Sequence, residues 1–300
     1  MTRRFIRVNV VGLAAFLFLM TSCDVRARSK TNDLPPVKGQ PERTDLPIRV
    51  YRGYLVIVEG SIGRLDHQNL LVDTGTDRSI INARIAHSLG FPAMAGKLTV
   101  SNAIVETEAT VLPELRVGPV QSSSLPVLVH DLTPLEHDLG IPVAAVIGLD
   151  VLGQASFRLD YFAKRLVFGP VETRGIALPF EDAGVLVTIE LTVGNDSLHL
   201  LVDTGAAGLV LFESRVGKRV AFTDLAVQRR DSSLVGSFRT EIVHPGELGL
   251  GGRRFRVQKA FLARDLEDTS KTFDGLLGVG AMGFKSIAFD FASNTVYLQI

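Results

Sequence analysis

The chain has 300 residues, with 32 lysine or arginine and 32 aspartate or glutamate side chains, so its formal net charge is zero. A chain without net charge offers no overall field to a polyanion, which makes nucleic acid a poor candidate partner. With 46% hydrophobic and 21% charged residues it has enough apolar material for a sizeable core, which excludes general disorder and predicts a globular protein.

The first residues have the pattern of an export signal. A segment with three arginines precedes an uncharged apolar run over residues 10–20, which ends shortly before Cys23. The run is shorter than the about 20 apolar residues that a membrane-spanning helix needs. We therefore predict a signal peptide over residues 1–23.

Cys23 is the only cysteine, which excludes intrachain disulfides, a redox cysteine pair and any multi-cysteine zinc site. The four residues 20–23, Met-Thr-Ser-Cys, resemble the lipobox of bacterial lipoproteins, although leucine is usual at the first of these positions. The resemblance implies lipid attachment at Cys23 and a protein anchored in the bacterial cell envelope or periplasm. The alternative is ordinary signal cleavage with an incidental thiol.

Residues 24–46 are rich in Lys, Arg, Asn, Pro and Gly and have no apolar period to bury. They predict a disordered tether that would hold the folded part away from the membrane, or simply a frayed N-terminus.

Short runs rich in Val, Ile, Leu and Phe follow, and they are broken by Gly, Pro, Asp and Asn. This pattern predicts many short strands, the clearest over residues 48–58, 69–72, 98–105, 125–129 and 157–168. Only residues 82–89 have apolar positions at helical spacing, with Asn82 as N-cap and Gly90 after the end. We therefore expect an all-β fold with one short helix.

The chain also repeats itself. Leu-Leu-Val-Asp-Thr-Gly occurs at residues 70–75 and again at 200–205, a separation of 130 residues. Two hydrophobic-hydrophobic-Gly segments ending at Gly148 and Gly278 keep this offset, as do Asp160 and Asp290. Three anchors with one offset indicate a tandem duplication. We predict a first lobe over 47–169, a linker over 170–177 and a second lobe over 178–300.

Each copy has two hydrophobic residues before Asp-Thr-Gly and, 75 residues after the aspartate, a hydrophobic-hydrophobic-Gly segment. This arrangement resembles the two-part signature of the aspartic proteases, and the short copies are similar to the retropepsin-like aspartyl proteases of bacteria. The resemblance implies two homologous all-β lobes that form an intramolecular pseudo-dimer with a central cleft, so that one chain acts as a monomer. Alternatively, each half pairs with another molecule in a larger assembly.

Two carboxylates held about 3 Å apart cannot both ionise, so one keeps a proton while the other is a base. A water between them is activated for attack on a peptide carbonyl, without metal or cofactor. The repeat therefore predicts Asp73 and Asp203 as the catalytic pair of an endopeptidase that cleaves polypeptides. The alternative is a non-catalytic envelope protein that binds peptide or protein in the cleft.

Four glycines have predicted roles beside this pair. Gly75 and Gly205 permit a tight turn and leave room for backbone amides to point at the carboxylates. Gly148 and Gly278 let the hydrophobic-hydrophobic-Gly strand pass closely beneath the loop.

The two copies differ directly after the glycine of Asp-Thr-Gly. Thr76 can donate its hydroxyl to Asp73, whereas Ala206 has nothing to offer Asp203. We therefore hypothesise that Asp73 is more often the base and Asp203 the proton carrier, since a hydrogen bond to the ionised form favours ionisation.

The resemblance implies further roles. Thr74 and Thr204 would bond across the interface between the lobes. Asp77 occupies the position at which retroviral proteases have an aspartate that binds substrate backbone; the alternative is a surface turn paired with Arg78. Flaps over the cleft are predicted at residues 96–107 and 231–240.

Other signals for chemistry are weak. Residues 278–283 match the GxGxxG dinucleotide fingerprint, but the first copy lacks the middle glycine at the same place. The six histidines are scattered without metal-ligand spacing. The sequence thus predicts no bound cofactor.

Overall fold

The computed structural model describes residues 42–100, 103–182, 186–217, 219–220, 222–233, 236–263 and 273–300. The predicted signal peptide, Cys23 and most of the predicted tether lie outside these ranges. No helix among the described residues has the length and hydrophobicity needed to cross a membrane.

The first repeat contributes ten strands and three short helices to the described structure. They are β1 (Thr44–Tyr51), β2 (Leu55–Ile62), β3 (Leu65–Val72), β4 (Ile80–Asn82), α1 (Ala83–Ser88), β5 (Met94–Val100), β6 (Ala103–Val117), β7 (Val120–His130), α2 (Thr133–Leu139), β8 (Ala145–Ile147), α3 (Leu149–Leu152), β9 (Phe157–Asp160) and β10 (Arg165–Phe168).

The second repeat contributes thirteen strands and one short helix to the same described ranges. They are β11 (Ile176–Pro179), β12 (Glu181–Asp182), β13 (Val187–Val193), β14 (Asp196–Asp203), β15 (Leu209–Phe212), α4 (Glu213–Val216), β16 (Thr223–Ser233), β17 (Gly236–His244), β18 (Gly246–Leu250), β19 (Arg253–Val257), β20 (Ala260–Ala263), β21 (Gly275–Gly278), β22 (Ser286–Asp290) and β23 (Thr295–Gln299).

A six-stranded layer built from both repeats joins the two lobes. Its order is β11-β23-β22-β9-β10-β1, and at its centre β22 pairs with β9 in antiparallel register, Phe289 opposite Phe157. The two rings stack with their centroids 4.7 Å apart. Because each repeat supplies one of the two central strands, the lobes are interlocked as a pseudo-dimer.

Each lobe also has its own sheet. In the first lobe β1 continues into the order β2-β3-β8-β4-β7-β6-β5. In the second lobe the order is β16-β17-β20-β15-β21-β14-β13-β18-β19, and β12 pairs with β13. The prediction of an all-β fold with two homologous lobes is confirmed.

Two of the predicted strands are hairpins. The 48–58 run is divided by Arg52 and Gly53, which both have positive φ (52° and 82°), so the chain reverses between β1 and β2. The 157–168 run reverses in the same way, with Lys164 at φ 53°. Positive φ at adjacent residues is typical of a tight hairpin turn.

The helix after Asn82 begins as predicted, since the Asn82 side chain accepts a hydrogen bond from the Arg84 amide at 3.1 Å. The expectation of a single helix is wrong, because α2, α3 and α4 are also present. Signals for α2 were present in the sequence: Pro134 lies in its first turn and Gly140 ends it at φ 69°.

The described strands overlap the predicted boundaries slightly. β1 begins at Thr44, inside the predicted tether, and β11 begins at Ile176, inside the predicted linker. Each predicted flap region contains a β-hairpin, formed by β5 with β6 and by β16 with β17.

Candidate active site

Each Asp-Thr-Gly loop follows a buried strand that runs parallel to the strand of the matching hydrophobic-hydrophobic-Gly segment. β14 pairs with β21 and places Asp203 opposite Gly278. In the first lobe β3 pairs with β8, and the Asp73 amide donates to the Ile147 carbonyl at 3.0 Å. Asp73 and Asp203 are buried, with exposed fractions of 0% and 1%.

The threonines of the two loops hold the lobes together by a reciprocal set of hydrogen bonds. The Thr74 amide donates to Thr204 Oγ1 at 3.1 Å, and the Thr204 amide donates to Thr74 Oγ1 at 3.2 Å. Each hydroxyl then donates across the interface, Thr74 to the Val202 carbonyl at 2.8 Å and Thr204 to the Val72 carbonyl at 3.1 Å. This set fixes the separation of the loops.

The glycine of each motif donates to the aspartate of its own loop and lies against the aspartate of the other lobe. The Gly75 amide donates to Asp73 Oδ1 at 2.9 Å, and the Gly205 amide donates to Asp203 Oδ1 at 2.7 Å. A Cβ added to Gly75 would lie 2.5 Å from Asp203 Cγ, and one added to Gly205 would lie 2.9 Å from Asp73 Oδ2. Only a residue without a side chain allows the carboxyls to come together.

The two carboxyls lie close together across the lobe interface, because each one lies against the glycine of the opposite loop. Burial raises the pKa of Asp73 to about 6. Burial, and then the negative charge of Asp73, raise the pKa of Asp203 well above its ordinary value. Asp73 Oδ2 is buried and receives no hydrogen bond from another group among the described residues. Two carboxyls this close repel one another when both are ionised, which favours a proton on one of them.

Gly148 and Gly278 lie directly under the loops. A Cβ on Gly148 would be 2.8 Å from the Thr76 carbonyl oxygen, and one on Gly278 would be 2.3 Å from the Ala206 carbonyl oxygen. The loops and the underlying strands therefore approach as closely as two backbones can.

The hypothesis that Thr76 donates to Asp73 is wrong. Thr76 Oγ1 donates instead to the Arg78 carbonyl at 2.8 Å, and it accepts from the Arg78 amide at 3.3 Å. A hydroxyl has one proton, so this bond within its own loop leaves none for Asp73. Thr76 supports the loop and not the carboxylate.

A buried network under the Asp73 loop was not found from the sequence. Asp150 accepts from the Ser79 amide at 2.9 Å and from the Ser79 hydroxyl at 2.7 Å, while Ser79 Oγ accepts from the Gly148 amide at 3.0 Å. Burial raises the pKa of Asp150 to about 6. The available signal was an acidic residue inside an apolar segment, which requires a partner when it is buried. The second repeat has Leu209 and Gly280 at these two positions.

The remaining candidates lie around this centre. Asp77 is partly buried on the Asp73 loop. Its counterpart Ala207 lines an open pocket together with Phe261 and Met282. Among the residues with described positions, no group of three or more His, Cys, Asp or Glu side chains could hold a metal ion.

Asp160 and Asp290, which recur at the repeat offset, end strands at hairpin turns. Asp160 accepts from the Ala163 amide, and Asp290 accepts from the Ala292 amide. Both carboxylates therefore serve their turns, and Asp290 also accepts a hydrogen bond from Ser156 of the first lobe at 3.4 Å.

Residues 58–151 match the sequence profile of a family described as aspartyl protease. The matched segment runs from the end of β2 into α3 and contains both Asp73 and Gly148. This similarity supports the retropepsin-like superfamily and the general class of aspartyl protease, and it agrees with the two-lobed all-β fold. No curated protein matches the chain significantly.

Proposed function

We propose that the protein is an aspartic endopeptidase in which Asp73 and Asp203 form the catalytic dyad. The observation that carries this proposal is the meeting of two buried carboxyls, one from each lobe, with the glycine of each loop backing onto the opposite aspartate. A pair of buried carboxyls forced together is costly unless it shares a proton, and such a pair serves as acid and base at once.

The reaction follows from this division of roles. Ionised Asp73 takes a proton from a water held between the carboxyls, and the water oxygen attacks the carbon of the peptide carbonyl. Asp203 gives its proton to the carbonyl oxygen, which produces a neutral tetrahedral diol. The diol collapses as a proton passes to the amide nitrogen and the C–N bond breaks, which releases a carboxylic acid and an amine.

The substrate in this proposal is a polypeptide segment that lies across both lobes. Asp77 would accept a hydrogen bond from the substrate backbone on one side of the cleft. Ala207 has no polar group for the other side, so binding would be asymmetric. A single chain supplies both aspartates, and we propose that the protein acts as a monomer; its molecular mass in solution tests this.

The site of action is also a proposal. We infer export through the signal over residues 1–23, lipid attachment at Cys23 and location in the bacterial cell envelope. A Cys23→Ser variant expressed in a bacterial host is expected to move from the membrane fraction to the soluble fraction. Equal membrane retention of both forms would refute the lipid anchor.

Cleavage of a diverse peptide pool, from acidic to neutral pH, tests the catalytic proposal. The wild-type protein is expected to cleave, and Asp73→Asn and Asp203→Asn are expected to lose cleavage while remaining folded by circular dichroism. Asp290→Asn is the matched control, because Asp290 is a carboxylate at a repeated position whose hydrogen bonds run to its own turn and to Ser156. A statine peptide, which mimics the tetrahedral diol, should bind the wild type. Folded wild type that neither cleaves nor binds the statine would favour a peptide-binding protein.

A further inference from the structure

Tyr161 of the first lobe extends its ring into the second lobe. It follows β9 directly, and a Cβ added to Gly280 would lie 2.7 Å from Tyr161 Cε1 and 2.9 Å from Cζ. Gly280 is two residues beyond Gly278, which pairs with Asp203. The ring therefore lies against the turn that follows β21, the strand paired with the end of β14 at Asp203.

The hydroxyl of Tyr161 is buried, and its proton has no acceptor among the described residues. Buried tyrosine hydroxyls nearly always have a partner, since leaving one without costs free energy. A buried donor without a partner next to a candidate catalytic pair therefore requires an explanation.

The charges of the two aspartates act on this hydroxyl. Burial raises the pKa of Tyr161, and the negative charges of Asp203 and, more weakly, of Asp73 raise it further, whereas the Gly280 amide opposes them. Two other charged groups adjoin the Tyr161 backbone. Asp160 accepts from the Ala163 amide and pairs with Arg158, and Lys285 offers its carbonyl to the Tyr161 amide. The hydroxyl thus stays protonated, and the negative charges that act on it are those of the two aspartates.

The repeat provides an internal comparison. At the offset of 130 residues Tyr161 corresponds to Phe291, and Gly280 corresponds to Asp150. Phe291 packs among aromatic rings, with its centroid 6.2 Å from that of Phe157. Only the position beside Asp203 carries the hydroxyl, and only its facing position is a glycine that leaves space for the ring.

We propose that Tyr161 is a positioning residue of the dyad, with its hydroxyl donating through one water molecule to Asp203. A water is required because no direct hydrogen bond joins the two groups and the buried hydroxyl proton has no other acceptor among the described residues. This inference rests on the proposed function, in which Asp203 gives its proton to the substrate carbonyl and becomes negatively charged. A donor aimed at that carboxylate is strengthened as the charge develops, so it stabilises the transition state more than the bound substrate.

The test compares Tyr161→Phe with Phe291→Tyr in the full chain. Phenylalanine keeps the ring and removes only the donor. We expect kcat to fall about three- to tenfold with little change in KM, and the limb of the pH profile at higher pH to move upward by about half a unit to one unit. Phe291→Tyr should change neither. Gly280→Ala, which displaces the ring, should shift the same limb in the same direction.

A second measurement separates this proposal from the proposed function. The pH dependence of urea unfolding reports ionisation of the buried carboxyls whether or not the protein cleaves peptides. If the wild type cleaves and Tyr161→Phe has the same pH profile of cleavage, the positioning role is refuted and the protease function stands. If no form cleaves, the protease function fails. An unfolding profile that shifts upward in Tyr161→Phe then still supports the contact with Asp203, and an unshifted profile refutes it.

Discussion

The threonine pair between the loops gives a sharp quantitative prediction. In Thr204→Val the side chain keeps its shape but loses the hydroxyl. The Thr74 amide then loses its acceptor at 3.1 Å, and the Val72 carbonyl loses its donor at 3.1 Å. Leaving a buried polar group without a partner costs about 1–3 kcal/mol, so the two groups together predict a loss of about 2–6 kcal/mol in the free energy of unfolding.

Urea unfolding followed by circular dichroism measures this loss, with Thr204→Ser as the matched control. Serine keeps the hydroxyl and removes one methyl group, so its cost should stay near about 1 kcal/mol. Thr74→Val should resemble Thr204→Val, because the bonds are reciprocal. The double variant should lose less stability than the sum of the two single losses, because the first change already frees the loops that the second threonine links. Strict additivity, or equal losses for valine and serine at 204, would refute the cross-lobe link.

Three further predictions concern the surroundings of the dyad. Gly75→Ala and Gly205→Ala should both abolish peptide cleavage, and Gly75→Ala should be more destabilising in urea unfolding, because its Cβ would lie 2.5 Å rather than 2.9 Å from the opposite carboxyl. Burial raises the pKa of Asp73 from 3.8 to about 6, so the folded state binds the proton more tightly than the unfolded state. The free energy of unfolding is therefore highest below about pH 4 and falls by about 3 kcal/mol as the pH rises through 6. Asp73→Asn should remove this pH dependence in urea unfolding. Ser79→Ala takes the hydroxyl donor from Asp150, so its destabilisation should be larger at pH 7 than at pH 5; an equal loss at both pH values would contradict the raised pKa of Asp150.

The duplication explains why the central pair was accessible from sequence. Six identical residues at a fixed offset mark two structurally equivalent loops, and a pseudo-twofold arrangement brings equivalent loops together at its axis. The strand breaks were harder to predict, because apolar runs continue through Arg52 and Gly53 without a change of composition. The turn there depends on positive φ at both residues, and sequence patterns specify this weakly for arginine.

Contacts that differ between the copies could not be read from the pattern. Ser79 and Asp150 are 71 residues apart, and Tyr161 reaches Gly280 in the other lobe. Neither pair has a periodic spacing, so only the folded chain reveals them. The Thr76 hypothesis failed for a related reason: the sequence shows that a hydroxyl is present, but the local turn determines that it bonds to the Arg78 carbonyl.

These differences form one asymmetric set around a nearly symmetric centre. On the Asp73 side, the loop is supported by Asp150 bonded to Ser79, and the repeat counterpart of Tyr161 is the apolar Phe291. On the Asp203 side, Gly280 stands in place of Asp150, Leu209 in place of Ser79, and Tyr161 in place of Phe291. An aspartate at 280 would meet the Tyr161 ring and would find no hydroxyl at 209 to bond, so the three replacements depend on one another.

The asymmetry has a consequence for the proton. Both carboxyls are buried and their contacts to the loop glycines match, so the loops alone do not distinguish acid from base. Burial raises the pKa of both carboxyls, and the negative charge of Asp73 raises the pKa of Asp203 further. In the mechanism that we propose, Asp203 holds the proton and needs a donor when it gives that proton up. Tyr161 lies on this side, so in this proposal the surroundings of the dyad, rather than Thr76, distinguish the acid from the base.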